Sequence, residues 1–195
     1  QDSPQLAAVA FGDGRFVAVG GEWGGNTGSN PIGDSGGVLI TSTDGLKWVS
    51  SAVRPQVALR GVAYGAGRFV AVGSRGTILV SSDGQAWETV TEDQATYLCG
   101  VAYGSGLYVA VGPENDGSRA VILTSRDGQA WDRRVITGAG CRTAVSHGDG
   151  AFVAVGAAGE GGPAVLWSHD ALAWNVVDAD RATPPWLHGV AYGSG

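Results

Sequence analysis

The chain has 195 residues, 44% of them hydrophobic and only 15% charged, with a net charge of −6 and a pI near 4.9. That length can bury a sizeable core in one domain, and apolar residues spread evenly along it argue against disorder. The acidic balance, with no offsetting cluster of Lys and Arg, repels phosphate backbones and excludes nucleic acid as an expected partner; no apolar run approaches the ~18 residues that cross a bilayer, so no membrane insertion is expected.

Glycine occupies 34 positions, far above the ordinary ~7%, without the three-residue period of collagen. A turn-rich all-β chain has this profile, because glycine enters tight turns at positive φ without a Cβ clash. The chain begins at Gln1 and contains no Met, as expected of a processed exported protein or of a piece of a longer chain.

From the N-terminus, residues 6–20 read LAAVAFGDGRFVAVG, two short β-prone runs (a and b) joined by a Gly-x-Gly turn. A long insertion at 21–36 follows, carrying Trp23, Asn26 and Asp34. Next come a third run c, the segment Ser42-Thr43-Asp44-Gly45-Leu46-Lys47-Trp48, and a fourth run d. Arg54 stands in the connection to the second copy, where residues 59–73 read LRGVAYGAGRFVAVG. There the runs are expected at 61–64, 69–72, 77–80 and 87–90. The third copy opens at 98–112 with LCGVAYGSGLYVAVG and continues through a connection holding Asn115 and Asp116; the fourth opens at 142–156 with RTAVSHGDGAFVAVG. After Arg181 and Trp186, residues 187–195 begin a fifth copy. The turn glycines Gly12, Gly65, Gly104, Gly148 and Gly193 recur at about the 40 to 50 residues of a propeller blade.

The expected fold is therefore all-β: a β-propeller segment over 1–195 made of four-stranded antiparallel blades at 6–50, 59–90, 98–136 and 142–177, with 187–195 starting a further blade. The runs are apolar on both faces, as suits a blade stacked between two others, and the Gly- and Ala-rich run a suits the crowded axis. A closed four-blade ring would leave the fifth strand a without partners. The expectation is a portion of a larger ring, with self-association through the incomplete blade as the alternative.

Between runs c and d every copy carries Ser-x-Asp-Gly-x-x-Trp: Ser42, Asp44 and Trp48; Ser81, Asp83 and Trp87; Ser125, Asp127 and Trp131; Ser168, Asp170 and Trp174. Ser and Asp can accept hydrogen bonds from turn amides, and Trp can cover the blade's outer edge. In the fourth copy Ala171 replaces the glycine, so either that turn does not need positive φ or the last blade is distorted. These residues resemble the Asp-box, or BNR, repeat of sialidases, sortilin-type receptors and photosystem II assembly-factor propellers, with Gly directly after Asp and one residue fewer between Asp and Trp. The resemblance implies that the boxes are structural braces away from a functional face.

Antiparallel blades put the a–b and c–d turns on one face of the ring and the b–c and d–a connections on the other. The first set is uniform and the second varies in length and content, which is where binding resides on a repeated scaffold. Trp23, Asn26, Asp34, Arg54, Asn115, Asp116, Arg181 and Trp186 are the candidate ligand-binding residues on that second face. Trp23 and Trp186 could form an aromatic platform for a sugar ring. No cofactor or metal is expected; calcium at Asp34 or at Asn115 and Asp116 is the alternative, although neither loop has EF-hand spacing. No catalytic residues are assigned, because no Ser, His and Asp arrangement stands outside the repeat. His147 takes the place of Tyr64, Tyr103 and Tyr192, His169 lies in a box, and His188 aligns with Arg60 and Cys99. Cys99 and Cys141 fall in adjacent blades, either as buried thiols or as a bridge. The expected function is a non-enzymatic binding module of an exported or surface protein (extracellular, periplasmic or cell surface) for a glycan or protein. A sialidase-like glycoside hydrolase and an assembly factor for a membrane complex are the alternatives.

Overall fold

The computed structural model describes residues 5–24, 33–91, 93, 96–114, 117, 119–136, 142–156, 165–177 and 187–193. The fold is an all-β propeller of four antiparallel blades. The first blade contains β1 (Gln5–Gly12), β2 (Arg15–Gly24), β3 (Gly33–Ser42) and β4 (Val49–Ser50). The second contains β5 (Leu59–Gly65), β6 (Arg68–Gly73), β7 (Ile78–Ser81) and β8 (Glu88–Thr91). The third contains β9 (Gly100–Gly104), β10 (Leu107–Pro113), β11 (Ala120–Ser125) and β12 (Asp132–Ile136). The fourth contains β13 (Arg142–Gly148), β14 (Ala151–Gly156), β15 (Val165–Ser168) and β16 (Asn175–Val176). Each sheet runs in sequence order from its first strand to its last.

Two departures from the sequence expectation concern connections. Much of the first b–c insertion is sheet: β2 and β3 extend as a hairpin in which Gly24 pairs with Gly33. Thr77 is not in a strand but closes a 3-10 turn at Ser74–Gly76, donating its N–H to the Ser74 carbonyl at 3.1 Å.

The a–b hairpins share one mechanism. Asp13 and Gly14, Ala66 and Gly67, Ser105 and Gly106, and Asp149 and Gly150 all have both residues at positive φ. Two consecutive left-handed residues give the type I′ geometry, whose twist matches that of the flanking strands. Glycine supplies the second position in every copy, and the first tolerates Asp, Ala or Ser.

The core lies between blades. Along β6, Phe69 and Ala71 pack with Val17, Val19 and Leu39 of the first blade, whereas Val70 and Val72 pack with Tyr108, Ala110 and Leu123 of the third. Along β10 the same alternation sends Val109 and Val111 to Phe152, Ala154 and Leu166 of the fourth blade. The period-2 geometry of a strand thus makes a middle strand apolar on both faces when a neighbour covers each. The outermost strands face solvent on β4 and β16, whose described residues are all exposed.

The innermost strands β1, β5, β9 and β13 pack in series, and their register is set by a ring lying on a glycine. A Cβ placed on Gly12 would sit 2.0 Å from Cγ of Tyr64 in the next blade; on Gly65, 2.0 Å from Cγ of Tyr103; on Gly104, 2.0 Å from Cγ of His147. The series continues past the fourth sheet, where a Cβ on Gly148 would sit 1.9 Å from Cγ of Tyr192. Residues 187–193, though not in a strand, therefore occupy the next-blade position beside β13. Each ring also packs within its own blade against strand b, at 4.7 Å for Tyr64 and Phe69, 4.7 Å for Tyr103 and Tyr108, and 4.6 Å for His147 and Phe152. No described helix is long and apolar enough to cross a membrane.

Candidate functional site

On the face that carries the a–b and c–d turns, polar groups are spent on the turns themselves. In the first box Asp44 Oδ1 accepts the N–H groups of Leu46 and Lys47, both at 2.8 Å, and the Ser42 hydroxyl at 3.0 Å. Ser42 Oγ accepts the N–H of Gly45 at 2.9 Å, and Trp48 Nε1 donates to the Gly45 carbonyl at 3.1 Å. The pattern repeats with Asp83 on Gln85 and Ala86, Asp127 on Gln129 and Ala130, and Asp170 on Leu172 and Ala173. The indoles of Trp87, Trp131 and Trp174 close the remaining three turns. Ala171 adopts φ 59° and is fully buried, so the fourth turn keeps the left-handed geometry without glycine and the box bonds around Asp170 persist.

Backbone N–H donors hold all four box carboxyls below the ordinary carboxylate range. A carboxyl whose folded pKa lies under its unfolded value of about 3.9 adds stability above that value and loses it as pH falls through the folded pKa. Stability is accordingly expected to hold from neutral pH down to about pH 4 and to decline below it. The Asp83→Asn variant is expected to show a shallower acid limb in urea titrations at stepped pH; an unchanged limb would contradict this role for the box.

A cleft of about 720 Å³ opens on this turn face between the third and fourth blades, lined by Ser105, Arg126, Asp132, Arg134, His169 and Leu172 among others. Near it Ser105 Oγ lies 3.0 Å from Nε2 of His147. The structure gives His147 no carboxylate partner among the described residues, so the pair lacks the third group that orients a catalytic imidazole. The box carboxylates beside it are held ionised, whereas a glycosidase acid needs a raised pKa.

The opposite face, carrying the b–c and d–a connections, gathers charged side chains around the buried ring of Tyr97. Glu114, at the end of β10, has a side chain only 12% exposed; its carboxylate takes Arg119 Nε at 2.5 Å and Arg133 at 2.7 Å. Arg133 also lies 3.8 Å from Asp93 of the preceding blade's d–a connection. Asp93 accepts the Thr96 hydroxyl at 2.8 Å, and Thr96 bridges to Glu114 in antiparallel fashion. One residue on, the guanidinium carbon of Arg60 lies 4.4 Å from the centroid of the Tyr97 ring, and Arg60 donates to the Tyr97 hydroxyl. Two blades and two connections thus meet in one patch.

Arg60 is placed there by a bulge. The β5–β6 register shifts between Leu59 and Gly61, so that Leu59 aligns with Gly73 and Gly61 with Val72 and Arg60 falls at the bulge. The same shift skips Ala7 in the first blade and Thr143 in the fourth. A bulge turns a side chain away from the pleat, and bulges collect at functional rims. Thr143 uses its freedom to donate to the Leu187 carbonyl at 2.7 Å, tying down the chain end.

Of the residues singled out in the sequence, Trp23 and Asp34 face each other across the β2–β3 hairpin, with their side chains outside the described part. Arg54 is exposed in the β4–β5 connection, near Pro55, whose carbonyl accepts the Gly37 N–H at 2.7 Å. Asn26, Asn115, Asp116, Arg181, Trp186 and Cys141 lie outside the described residues. Cys99 Sγ approaches the Tyr97 carbonyl at 3.9 Å. Sequence reasoning missed Arg60, Tyr97, Glu114 and Arg133 as a group. The available signal was the variability of one position in an otherwise uniform strand, held by Ala7, Arg60, Cys99, Thr143 and His188.

No protein-family model matches the chain, and no curated protein matches it in sequence. Among solved structures the fold resembles an alpha-L-arabinofuranosidase of Clostridium thermocellum, with TM-score 0.54 and 12% identity over 87% of this chain and 69% of that one. It is also similar to YCF48 bound to D1 peptide, with TM-score 0.56 and 20% identity over 88% of this chain. A chain of the nidogen/laminin complex gives TM-score 0.54 and 15% identity over 95% of this chain and 84% of that one. The chain spans about half (52%) of the length of the YCF48 chain. At these identities the likeness establishes the propeller fold and nothing finer.

Proposed function

We propose that the protein is a non-enzymatic binding module of an exported or surface protein, and that it recognises another polypeptide through the face formed by the b–c and d–a connections. The observation that carries this reading is the contrast between faces. The box carboxylates and hydroxyls of the turn face are engaged within each box, whereas the loop face assembles Arg60, Tyr97, Asp93, Glu114, Arg119 and Arg133 from two blades. Exposed Arg side chains, Arg119 and Arg133, held by a mostly covered carboxylate, with Asp93 at the rim, match the Arg enrichment and charged rim of interaction surfaces. Propellers of similar fold include YCF48 in complex with D1 peptide and a chain of the nidogen/laminin complex, which supports a polypeptide ligand.

A glycan is the second reading, favoured by the hydrogen-bonding Arg and carboxylate side chains of the patch and by the likeness to an arabinofuranosidase fold. On either reading the four boxes belong to a divergent Asp-box repeat and act as scaffold, in keeping with their internal hydrogen bonds. Peptide and glycan arrays probed with the labelled chain test the proposal. Binding that drops at least about tenfold, roughly 1.4 kcal/mol, in Arg119→Ala and Arg133→Ala, whose side chains are 49% and 37% exposed, with no turnover of fluorogenic glycosides, is the expected result. Binding unaffected by both substitutions, or steady glycoside hydrolysis, would count against it.

A further inference from the structure

Departures from the repeat collect at one blade boundary. Arg126 stands at the box position held by Thr43 and Ser82 in the first two copies, and Arg134 at the outer-strand position held by Ser51, Val90 and Val177. In the fourth copy His169 takes the same box position as Arg126, and Ala171 replaces the box glycine. Arg126, Arg134 and His169 all line the cleft of about 720 Å³ between the third and fourth blades, and Ala171 sits between its lining residues Asp170 and Leu172.

Ala171 gives that cleft its room. A Cβ on Gly84 would come to 2.8 Å from Cγ2 of Val17, and one on Gly128 to 3.0 Å from Cγ2 of Val70, so at the first two boundaries the box glycine presses on strand b of the preceding blade. Ala171 carries a real methyl at that place, fully buried in the cluster that holds Val109 and Ile122. Non-bonded carbons rest about 3.5–4.0 Å apart. The box of the fourth blade must therefore stand off the third by more than the other boxes stand off their neighbours.

The cleft holds charges of both signs that do not meet. Arg126 and Arg134 share it with Asp127, Asp132 and Asp170, yet among the described residues no ion pair joins any of the five. Asp132 and Arg134 are two apart on β12 and so project from the same face of the strand. Asp127 and Asp170 spend Oδ1 on their own turns, which leaves Oδ2 to a ligand. Arg134 and Leu172 also border a second groove of about 460 Å³, with Ile136 and Trp174 as apolar wall.

We propose that this cleft binds a small zwitterion, a di- or tripeptide with both termini free, whose carboxylate is taken by Arg126 and Arg134 and whose ammonium lies against Asp132. Such a ligand satisfies both sets of charges at once, whereas a simple anion would meet three carboxylates beside the two guanidiniums. The volume suits a drug-sized ligand, for which sites span about 300–1,000 Å³. The inference concerns a small solute on the turn face and stands apart from the loop-face proposal, since array-bound chains do not present both free termini.

Isothermal titration calorimetry on the full chain tests it, with trialanine, its N-acetyl form, its C-terminal amide and inorganic phosphate as probes. Trialanine is expected to bind, and blocking either terminus to weaken it at least about tenfold, as for a lost charged hydrogen bond. Arg126→Ser and Arg134→Val install the residues of the second copy, and Asp132→Asn that of the fourth, so each is expected to keep the wild-type circular dichroism spectrum and to weaken trialanine by a similar factor. The amide offers no carboxylate and should lose nothing further in Arg134→Val, just as the N-acetyl form should lose nothing further in Asp132→Asn. Ala171→Gly relieves a φ of 59° and lets the box settle on the third blade, so the chain should fold as before and bind trialanine more weakly. Arg119→Ala, on the loop face, should leave trialanine binding unchanged. No binding of trialanine, phosphate binding as tight as trialanine, an affinity unmoved by the two arginine variants, or a loss in Arg119→Ala would each overturn the proposal.

Discussion

Gly65→Ala is expected to cost about 3 kcal/mol or more, at the top of the range for overpacking a core. The new methyl would lie 2.0 Å from Cγ of Tyr103, and the ring cannot retreat because Tyr108 packs behind it at 4.7 Å. Either the ring must leave or the second and third blades must separate, and separation exposes Val70, Val72, Val101 and Ala110, which are all buried. Urea denaturation with the slope held constant reads the loss. The mechanism also predicts the double variant. With Tyr103→Ala the ring is gone, so adding Gly65→Ala should then cost little, and the cycle should show a coupling of about 2 kcal/mol. Additive effects would mean that the glycine serves only its own backbone.

The second large effect falls at Tyr108, the one tyrosine in a position where the other blades carry Phe16, Phe69 and Phe152. Its ring is fully buried, and its hydroxyl donates to the Gly65 carbonyl and, at 2.9 Å, to the Arg68 carbonyl, so it fastens the third blade to the a–b hairpin of the second. Tyr108→Ala is expected to cost about 3–5 kcal/mol, as for other large buried aromatics. Tyr108→Phe keeps the packing and should cost about 1–2 kcal/mol, chiefly from two carbonyls left without that donor. Burial pushes the Tyr108 hydroxyl up to about 12. A phenol with a raised folded pKa adds stability that is complete below its unfolded value of about 10 and is lost as pH climbs towards the folded one. The alkaline limb of stability should therefore be steeper in the wild type than in Tyr108→Phe. Equal limbs would show that another group governs alkaline unfolding.

Much of the architecture was legible because it is written four times. Gly-x-Gly turns, valine-rich middle strands and Ser-x-Asp-Gly-x-x-Trp segments each carry a local reason for their conformation, and the repeat spacing turns those reasons into a blade. The sockets were harder to see. Ala63, Tyr64 and Gly65 are adjacent letters, yet Tyr64 lies on Gly12 and Gly65 lies under Tyr103, so the contacts run between copies and depend on how far neighbouring blades are offset. Ala171 illustrates the opposite limit: the missing glycine raised a doubt about the turn, and the box bonds hold the left-handed φ regardless.

The candidate site was legible as a face and not as a set of residues. Uneven b–c and d–a connections drew attention to the side on which the Glu114 and Arg60 patch lies, but the patch draws on positions inside regular strands. Arg133 belongs to β12 and Arg60 to a bulge in β5, and both are brought to the loop face by the sheet. A one-residue register shift is invisible in a string of letters, because the skipped residue looks like any other strand residue.

The claim on which the functional reading rests is that the loop face binds while the box face braces. Hydrogen-exchange footprinting, with the tightest ligand from the peptide and glycan arrays, compares the two in one experiment. Protection concentrated at residues 96–99, 113–114 and 132–134, with the four box turns unchanged, is the predicted outcome. Protection centred on residues 125–131 and 168–174, around the cleft between the third and fourth blades, would contradict it and move the site to the other side of the propeller.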